Sequence, residues 1–203
     1  MKSYLMLPLL IITFIQFIFY SNLLAQEENV IIQNYNLELA KESPPHKMLS
    51  KLSGNWNLNY KLWINPNSDP EAGSGVAEVN LILGGRFIQI DMDYLVYEKD
   101  FTSEHIVGYD TEVERFSLYS IDEFGTNAIF EYGDFDDSEE SIVFTGLDSL
   151  SVNPSTNERS YQYKIELYIP TADEVNEFSF STYYLDPEGE WKPLMETSFI
   201  KPE

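Results

Sequence analysis

The chain contains only two histidines, His46 and His105, the side chains best suited to acid–base or metal chemistry near neutral pH. His46 falls in the first turn of a predicted helix, where the helix N-terminus disfavours a protonated imidazole, so we expect it to cap or to pack. His105 belongs to an alternating set expected on an inward strand face, with Phe101, Ser103, Val107 and Tyr109. This pattern predicts a hydrogen-bonded wall residue, with a haem ligand, a metal ligand or a general base as alternatives.

Motifs for catalysis are lacking from the sequence. It contains no Gly-x-Ser-x-Gly, no His-Glu-x-x-His, no phosphate loop after a strand and no dinucleotide fingerprint. An unmarked enzyme could combine His105 with Asp91 or Glu104, but strand parity points both acids outward. We therefore predict no catalytic residue and no cofactor, and an enzymatic activity stays open.

The densest acidic run is DFDDSEE at 134–140. It resembles a calcium loop in composition, yet it lacks the Asp-x-Asp-x-Asp-Gly order and the distant closing Glu. We expect a solvated turn there. Because the chain has no cysteine and no cluster of the usual zinc ligands, no metal site is predicted.

Charge narrows the range of partners. The formal net charge of −22 at pH 7 repels nucleic acid and anionic lipid headgroups, so partners of these kinds are not expected. Without disulfides, apolar burial has to stabilise the fold, and 14 Tyr, 13 Phe and 3 Trp supply large side chains for it.

The first 25 residues have the layout of a secretory signal peptide. Lys2 is their only charge, an almost wholly apolar stretch follows it, and Ala25 offers a small residue for cleavage. An uncleaved membrane anchor is the alternative, and only then would the chain contact a membrane. We expect residues 26–42 to be a polar lead-in and residues 43–203 to form one domain of a secreted or periplasmic protein.

A short helix and a series of strands are expected to position these side chains. Two prolines after Ser43 fit the first turn of a helix at 44–53, which Gly54 would end. From Trp56 onward, apolar and polar residues alternate as in half-buried strands. The first three inward faces are Trp56, Leu58, Tyr60, Leu62 and Ile64, then Ala77, Val79, Leu81 and Leu83, and then Ile88, Ile90, Met92, Tyr94 and Val96. Further strands are predicted near 101–109, 113–121, 126–132, 141–147, 159–169, 174–185 and 191–201.

Short turns link nearly all neighbouring strands, which predicts an antiparallel meander. A meander of many twisted strands avoids exposed edges by closing. The expected fold is therefore all-β, an up-and-down calycin-like barrel of about ten strands closed at one end by the N-terminal helix. A two-sheet sandwich is the alternative, since the sequence pattern does not reveal closure.

A short helix followed by Gly-x-Trp on the first strand, here Gly54 and Trp56, resembles the lipocalins and their calycin relatives. A longer series of segments looks like the secreted bacterial family labelled domain of unknown function 1579, namely HKML…GNW, KLWINP, LGGRF, VGYD, SIDEFGT and DPEGEW…METSF. That resemblance implies export and a lipocalin-like barrel, and it implies no reaction. Lipocalins place an arginine on the last strand against the tryptophan, whereas this chain has Lys201 there.

Strand directions place a set of barrel-closing residues at the helix end, namely His46, Gly54, Trp56, Arg86 and Lys201. Arg86 follows the turn after the second strand and by parity points inward. We expect it to stack on Trp56 or to pair with a carboxylate or carbonyl. The alternative is that Arg86 binds the carboxylate of an acidic ligand through its bidentate fork.

The opposite end should be the mouth of the barrel. Its expected ligand-binding wall consists of Tyr60, Leu62, Tyr94, Val96, His105, Tyr163 and Phe180. Aromatic walls with a few phenol groups suit a small, mainly apolar molecule bound without a covalent step. Two alternatives stay open: a small barrel enzyme, an isomerase or hydrolase acting on a lipid-like substrate, or a filled barrel whose outer face, including Trp63, binds another protein.

Overall fold

A computed structural model describes residues 41–65, 68–152, 159–172 and 174–203. The predicted signal peptide at 1–25 and nearly all of the predicted lead-in at 26–42 lie outside these residues. Glu42–Glu203 form one compact unit. No helix within the described ranges is long and apolar enough to cross a membrane.

The unit contains one short helix, α1 (Pro44–Ser50), and ten strands. The strands are β1 (Gly54–Leu62), β2 (Glu71–Ile82), β3 (Phe87–Val96), β4 (Lys99–Asp110), β5 (Arg115–Asp122), β6 (Ile129–Asp136), β7 (Ser141–Val152), β8 (Arg159–Tyr168), β9 (Glu177–Leu185) and β10 (Trp191–Ile200). Each strand pairs antiparallel with its neighbours in sequence, and β1 also pairs with β10. The predicted closed meander of ten strands is therefore confirmed.

Helix α1 starts where the sequence predicts it. Its two prolines occupy the first turn, where an amide N–H has no partner within the helix. Leu49 and the following Leu52 are fully buried, so the helix packs beneath the barrel through them. It ends at Ser50, earlier than the predicted residue 53, because the chain passes through a tight turn before Gly54 begins β1.

The core follows the period-two pattern of the strands. All five predicted inward residues of β3 are buried, as are Trp56, Leu58 and Tyr60 of β1. At the helix end, the Trp56 ring meets Phe178 edge to face with centroids 4.8 Å apart, and Phe178 stacks on Phe199 at 4.1 Å. These large aromatic groups close that end of the barrel, since each contributes extensive apolar contact.

Three residues expected on inward faces lie at the surface instead. Ile64, Leu81 and Leu83 are 60%, 46% and 65% exposed. Strand β1 ends at Leu62, so Ile64 lies beyond it, and Leu81 stands at the rim next to the end of β2. Leu83 has a positive φ of 51° and is already part of the turn that Gly84 and Gly85 complete. For Ile64 and Leu83 the inward pattern stops where their strands end, whereas Leu81 still pairs with Ile88 of β3 but lies beyond the last pair of β2 with β1, at Val79.

Candidate ligand-binding site

His46 contributes to the closed end as part of the helix cap. Its Nδ1 accepts a hydrogen bond of 3.0 Å from the backbone N–H of Ser43, and the Ser43 hydroxyl lies 2.8 Å from the same nitrogen. The ring is buried and meets Tyr109 edge to face, with centroids 5.8 Å apart. Because Nδ1 accepts this bond, the N–H of the ring is at Nε2.

The other barrel-closing residues bond to separate partners. The Trp56 indole N–H donates to the carbonyl of Leu52 at 2.9 Å, which ties the first strand to the end of the helix segment. Arg86 is half-buried in the turn between β2 and β3, and its Nε donates to the Leu83 carbonyl at 2.9 Å. A backbone carbonyl is thus the observed partner of Arg86.

Lys201 lies just beyond β10 at the same end of the barrel. Its side chain is exposed, and its Nζ is 3.3 Å from Oε1 of Glu174. Its backbone N–H donates to the carbonyl of Asn176. Lys201 therefore joins the end of the last strand to the segment before β9.

Near the mouth, the β3–β4 side of the barrel is filled by aromatic rings. Tyr60 packs on Tyr94 at 5.6 Å, Tyr94 on Phe101 at 6.4 Å, and Phe101 stacks on Phe124 at 4.6 Å. The Tyr60 hydroxyl donates to the Leu95 carbonyl. Burial raises the pKa of Tyr94 to about 12, so its phenol stays protonated. Of the other predicted wall residues on this side, Val96 is buried and Leu62 is half-buried.

His105 faces the interior in the middle of the barrel. Its Nδ1 lies 2.8 Å from the Ser120 hydroxyl and its Nε2 lies 3.2 Å from the Ser103 hydroxyl, while its ring lies 4.6 Å from that of Phe180. Burial lowers the pKa of His105 to about 4, so the imidazole is neutral at pH 7. Both ring nitrogens therefore have serine partners, one as donor and one as acceptor.

Space for a ligand lies on the other side of the mouth. A cleft of about 410 Å³ opens between β6 and the β7–β8 pair, where Tyr163 is the predicted wall residue that lines it. Its lining is Asn127, Ala128, Ile129, Phe130, Glu131, Leu147, Asp148, Tyr161, Tyr163, Thr182 and Leu194. The volume falls within the range of small-molecule sites, and the lining combines aromatic and aliphatic surface with polar and acidic groups.

Glu131 is the central polar group of this cleft. It projects from the inner side of β6, in parity with the buried Gly133, and is half-buried. The Tyr163 hydroxyl of β8 donates to its Oε1 at 2.6 Å. Burial, and secondarily this carboxylate, raises the pKa of Tyr163, which keeps the phenol protonated as a donor.

The cleft exists because β6 and β7 part toward the mouth. Their register pairs run only from Gly133 with Phe144 to Asp136 with Ser141, near the turn that joins them. Strand β6 stays paired with β5 as far as Ile129, so it leans away from β7. The side chain of Glu131 occupies this opening in the wall.

Sequence reasoning missed Glu131, Asp148, Thr182 and Leu194 as lining residues. On β6, residue type predicts that the aromatic Phe130 and Tyr132 face the interior. In the structure Phe130 is 59% exposed and Glu131 faces the interior. The sequence signal for this site is the pair Gly133 on β6 and Gly146 on β7. A glycine inside a strand often marks a place where a neighbouring group approaches the backbone closely.

Further depressions lie elsewhere on the described residues. One of about 490 Å³ lies over β2–β4, lined by Ser74, Gly75, Val76, Asp93, Tyr94, Leu95, Asp100 and Phe101. A second of about 350 Å³ lies beside α1, lined by Pro44, Pro45, Met48, Tyr109, Glu114, Phe116, Asp134 and Phe135. Another of about 360 Å³ lies over β3–β5 and includes Asp91 and Glu104, the two acids expected to point outward. Across the described ranges, no three His, Asp or Glu side chains come together as a metal site would require.

The ten-stranded antiparallel barrel, the helix beneath it and the cleft at its mouth define a calycin-like β-barrel protein. The chain belongs to the family described as "Protein of unknown function (DUF1579)", whose model matches residues 41–201. The resemblance inferred from the sequence segments is thereby confirmed. No curated protein matches the chain.

Among solved structures, the fold is similar to the crystal structure of Rv2717c from M. tuberculosis. The TM-score is 0.53 and the sequence identity is 13%, and the match covers 80% of this chain and 100% of the other. At this identity the likeness concerns the fold alone.

Proposed function

We propose that this protein binds a small, mainly apolar molecule without a covalent step, in the cleft between β6 and β7–β8. The observation that carries the proposal is the cleft of about 410 Å³, where aromatic and aliphatic residues form most of the wall beside the polar Asn127, Glu131, Asp148 and Thr182. The interior on the opposite side of the mouth is filled by the Tyr60–Tyr94–Phe101–Phe124 cluster. The depression of about 490 Å³ beside this cluster is lined largely by exposed residues of β2–β4, so we place the ligand in the cleft.

A neutral apolar fluorophore tests this proposal. N-phenyl-1-naphthylamine should bind the wild-type protein with a blue shift and an increase in emission. Thr182→Phe adds a ring inside the cleft and should weaken binding at least about tenfold, which corresponds to about 1.4 kcal/mol. Thr145→Phe places the same ring on the exposed outer face of β7 and serves as the matched control.

The proposal fails if the wild-type protein does not bind the fluorophore, or if the two substitutions weaken binding equally. Thermal unfolding of both variants verifies that each is folded before binding is compared. A site elsewhere on the barrel would leave the Thr182→Phe variant at wild-type affinity.

We also propose that the protein acts outside the cytoplasm, secreted or in the periplasm. The support is the sequence of residues 1–25, with one charge, a long apolar stretch and Ala25 at its end. N-terminal sequencing of the protein isolated from its own cells should give a chain that begins at Gln26. A chain that retains Lys2 and stays with the membrane fraction would favour an uncleaved anchor instead.

A further inference from the structure

We propose that the ligand of the mouth cleft carries a protonated amine, which the carboxylate of Glu131 binds. This inference rests on the proposed binding function and adds the chemical class of the ligand. An apolar body would lie against the aromatic and aliphatic wall, and its cationic end would point toward β6.

The orientation of Glu131 is the first argument. An ionised carboxylate only accepts hydrogen bonds, and its two oxygens offer about four lone-pair directions. The Tyr163 hydroxyl uses one of them, at 2.6 Å on Oε1, and holds the carboxylate over the cleft. The remaining capacity suits a ligand group that donates several hydrogen bonds, as an ammonium group does.

The charge around the cleft is the second argument. Asp148 lines the same space, so a second acidic residue borders the cleft and adds to its negative potential. Among the lysine and arginine side chains that the structure describes, the ion pairs are with Glu166, Glu174, Glu190, Glu196, Asp134 and Asp186, and none of these pairs involves Glu131. The net charge of −22 further raises the local concentration of cations and disfavours anions.

The aromatic lining is the third argument. Tyr161 and Tyr163 line the cleft, and tyrosine rings attract cations through their negative faces. Ile129 and Leu194 supply aliphatic surface for an uncharged body. Together with this aromatic and aliphatic surface, the Glu131 carboxylate gives the cleft an apolar part and an anionic part.

Three probes that share an indole frame test the inference: tryptamine, tryptophol and indole-3-acetate carry a cation, a neutral hydroxyl and an anion. Titration calorimetry at pH 7 should show tryptamine binding at least about tenfold more tightly than tryptophol, with indole-3-acetate weakest. Glu131→Gln keeps an oxygen that can accept from Tyr163 and removes the charge. It should bring tryptamine to the affinity of tryptophol and leave tryptophol unchanged.

Glu78→Gln is the matched control, because it removes one negative charge from the exposed outer face of β2. It should preserve the preference for tryptamine. Equal affinities for tryptamine and tryptophol in the wild-type protein, or an unchanged preference in Glu131→Gln, would overturn the amine assignment. If N-phenyl-1-naphthylamine still binds in the cleft, the proposed function survives that result; if it does not bind, both fail.

Discussion

The hydroxyl of Tyr163 lies 2.6 Å from Oε1 of Glu131, and the bond passes over Gly146 on the strand between them. A methyl group added at Gly146 would come within 2.3 Å of both oxygen atoms. Because Gly146 has no side chain, Tyr163 of β8 can reach across β7 to Glu131 of β6. This contact lies where β6 and β7 no longer pair. The missing side chain on β7 thus shapes the cleft.

Gly146→Ala should break the bond between Tyr163 and Glu131. The atoms nearest to the added methyl group are Oε1 of Glu131 and the hydroxyl and Cζ of Tyr163, which lie at the far ends of two side chains and not on a backbone, so the barrel should still fold. Loss of one charge-assisted hydrogen bond predicts a decrease of about 1–3 kcal/mol in the free energy of unfolding. Urea unfolding measures this loss, and binding of N-phenyl-1-naphthylamine should weaken in parallel.

Tyr163→Phe provides the comparison, since it removes the same hydrogen bond without adding volume. Because both substitutions delete one interaction, the double variant should lose less stability than the two single losses added together. Strict additivity would show that Gly146→Ala acts through some other contact.

The sequence predicted the strands well where one face is buried along its whole length. On β3, five alternating apolar residues mark the inner face without ambiguity, and all five are buried. Leu83 shows the limit of the pattern, because it continues the apolar alternation of β2 and yet adopts the positive φ of the turn. Alternation reports the side-chain type and not the residue at which strand pairing ends.

The cleft was harder to predict, for a physical reason. Phe130, Tyr132 and Leu147 lie outside while Glu131 lies inside, which reverses the usual distribution of apolar and charged groups. That reversal depends on the parting of β6 and β7, a three-dimensional feature that the residues of β6 alone do not encode. Polarity is unreliable as a guide to direction at a site where polar groups face a ligand space.

The pH dependence of stability should show the burial of His105. Its pKa is about 4 in the folded protein against 6.5 when unperturbed, so between these values the unfolded chain binds the extra proton. His105 therefore does not reduce the free energy of unfolding above pH 6.5. As the pH is lowered from 6.5 to 4, its burial reduces the free energy of unfolding by at most about 3 kcal/mol. Urea unfolding at pH 7.5 and at pH 4.5 measures the difference.

Protonation of the many carboxylates also changes the free energy of unfolding in acid. The effect of His105 is therefore measured as the difference between the wild-type protein and a variant without this ring. His105→Gln removes the titrating ring and should show a smaller loss of stability on acidification than the wild-type protein. Ser120→Ala removes a hydrogen-bond partner and keeps the buried imidazole, so its loss on acidification should stay close to that of the wild type. Equal losses in all three proteins would contradict a buried neutral His105.

The helix cap gives a prediction that uses His46. His46→Ala removes the acceptor for the Ser43 backbone N–H and should lower the free energy of unfolding by about 1 kcal/mol from the cap alone, with an added loss from its buried ring. Glutamine at the same position can complete a Ser-x-x-Gln capping box, so His46→Gln should recover part of the loss. Identical stability of the two variants would show that the ring contributes by packing alone.

Trp56→Phe tests the link between the helix segment and the first strand. Phenylalanine keeps the apolar contact with Phe178 and removes the N–H that donates to the Leu52 carbonyl, which would leave a buried acceptor without its partner. The expected loss is about 1–3 kcal/mol in the free energy of unfolding, measured in urea. Trp191→Phe is the control, because Trp191 is 36% exposed and its replacement should change stability much less. A loss at position 56 no larger than at position 191 would mean that the indole N–H does not stabilise the closed end.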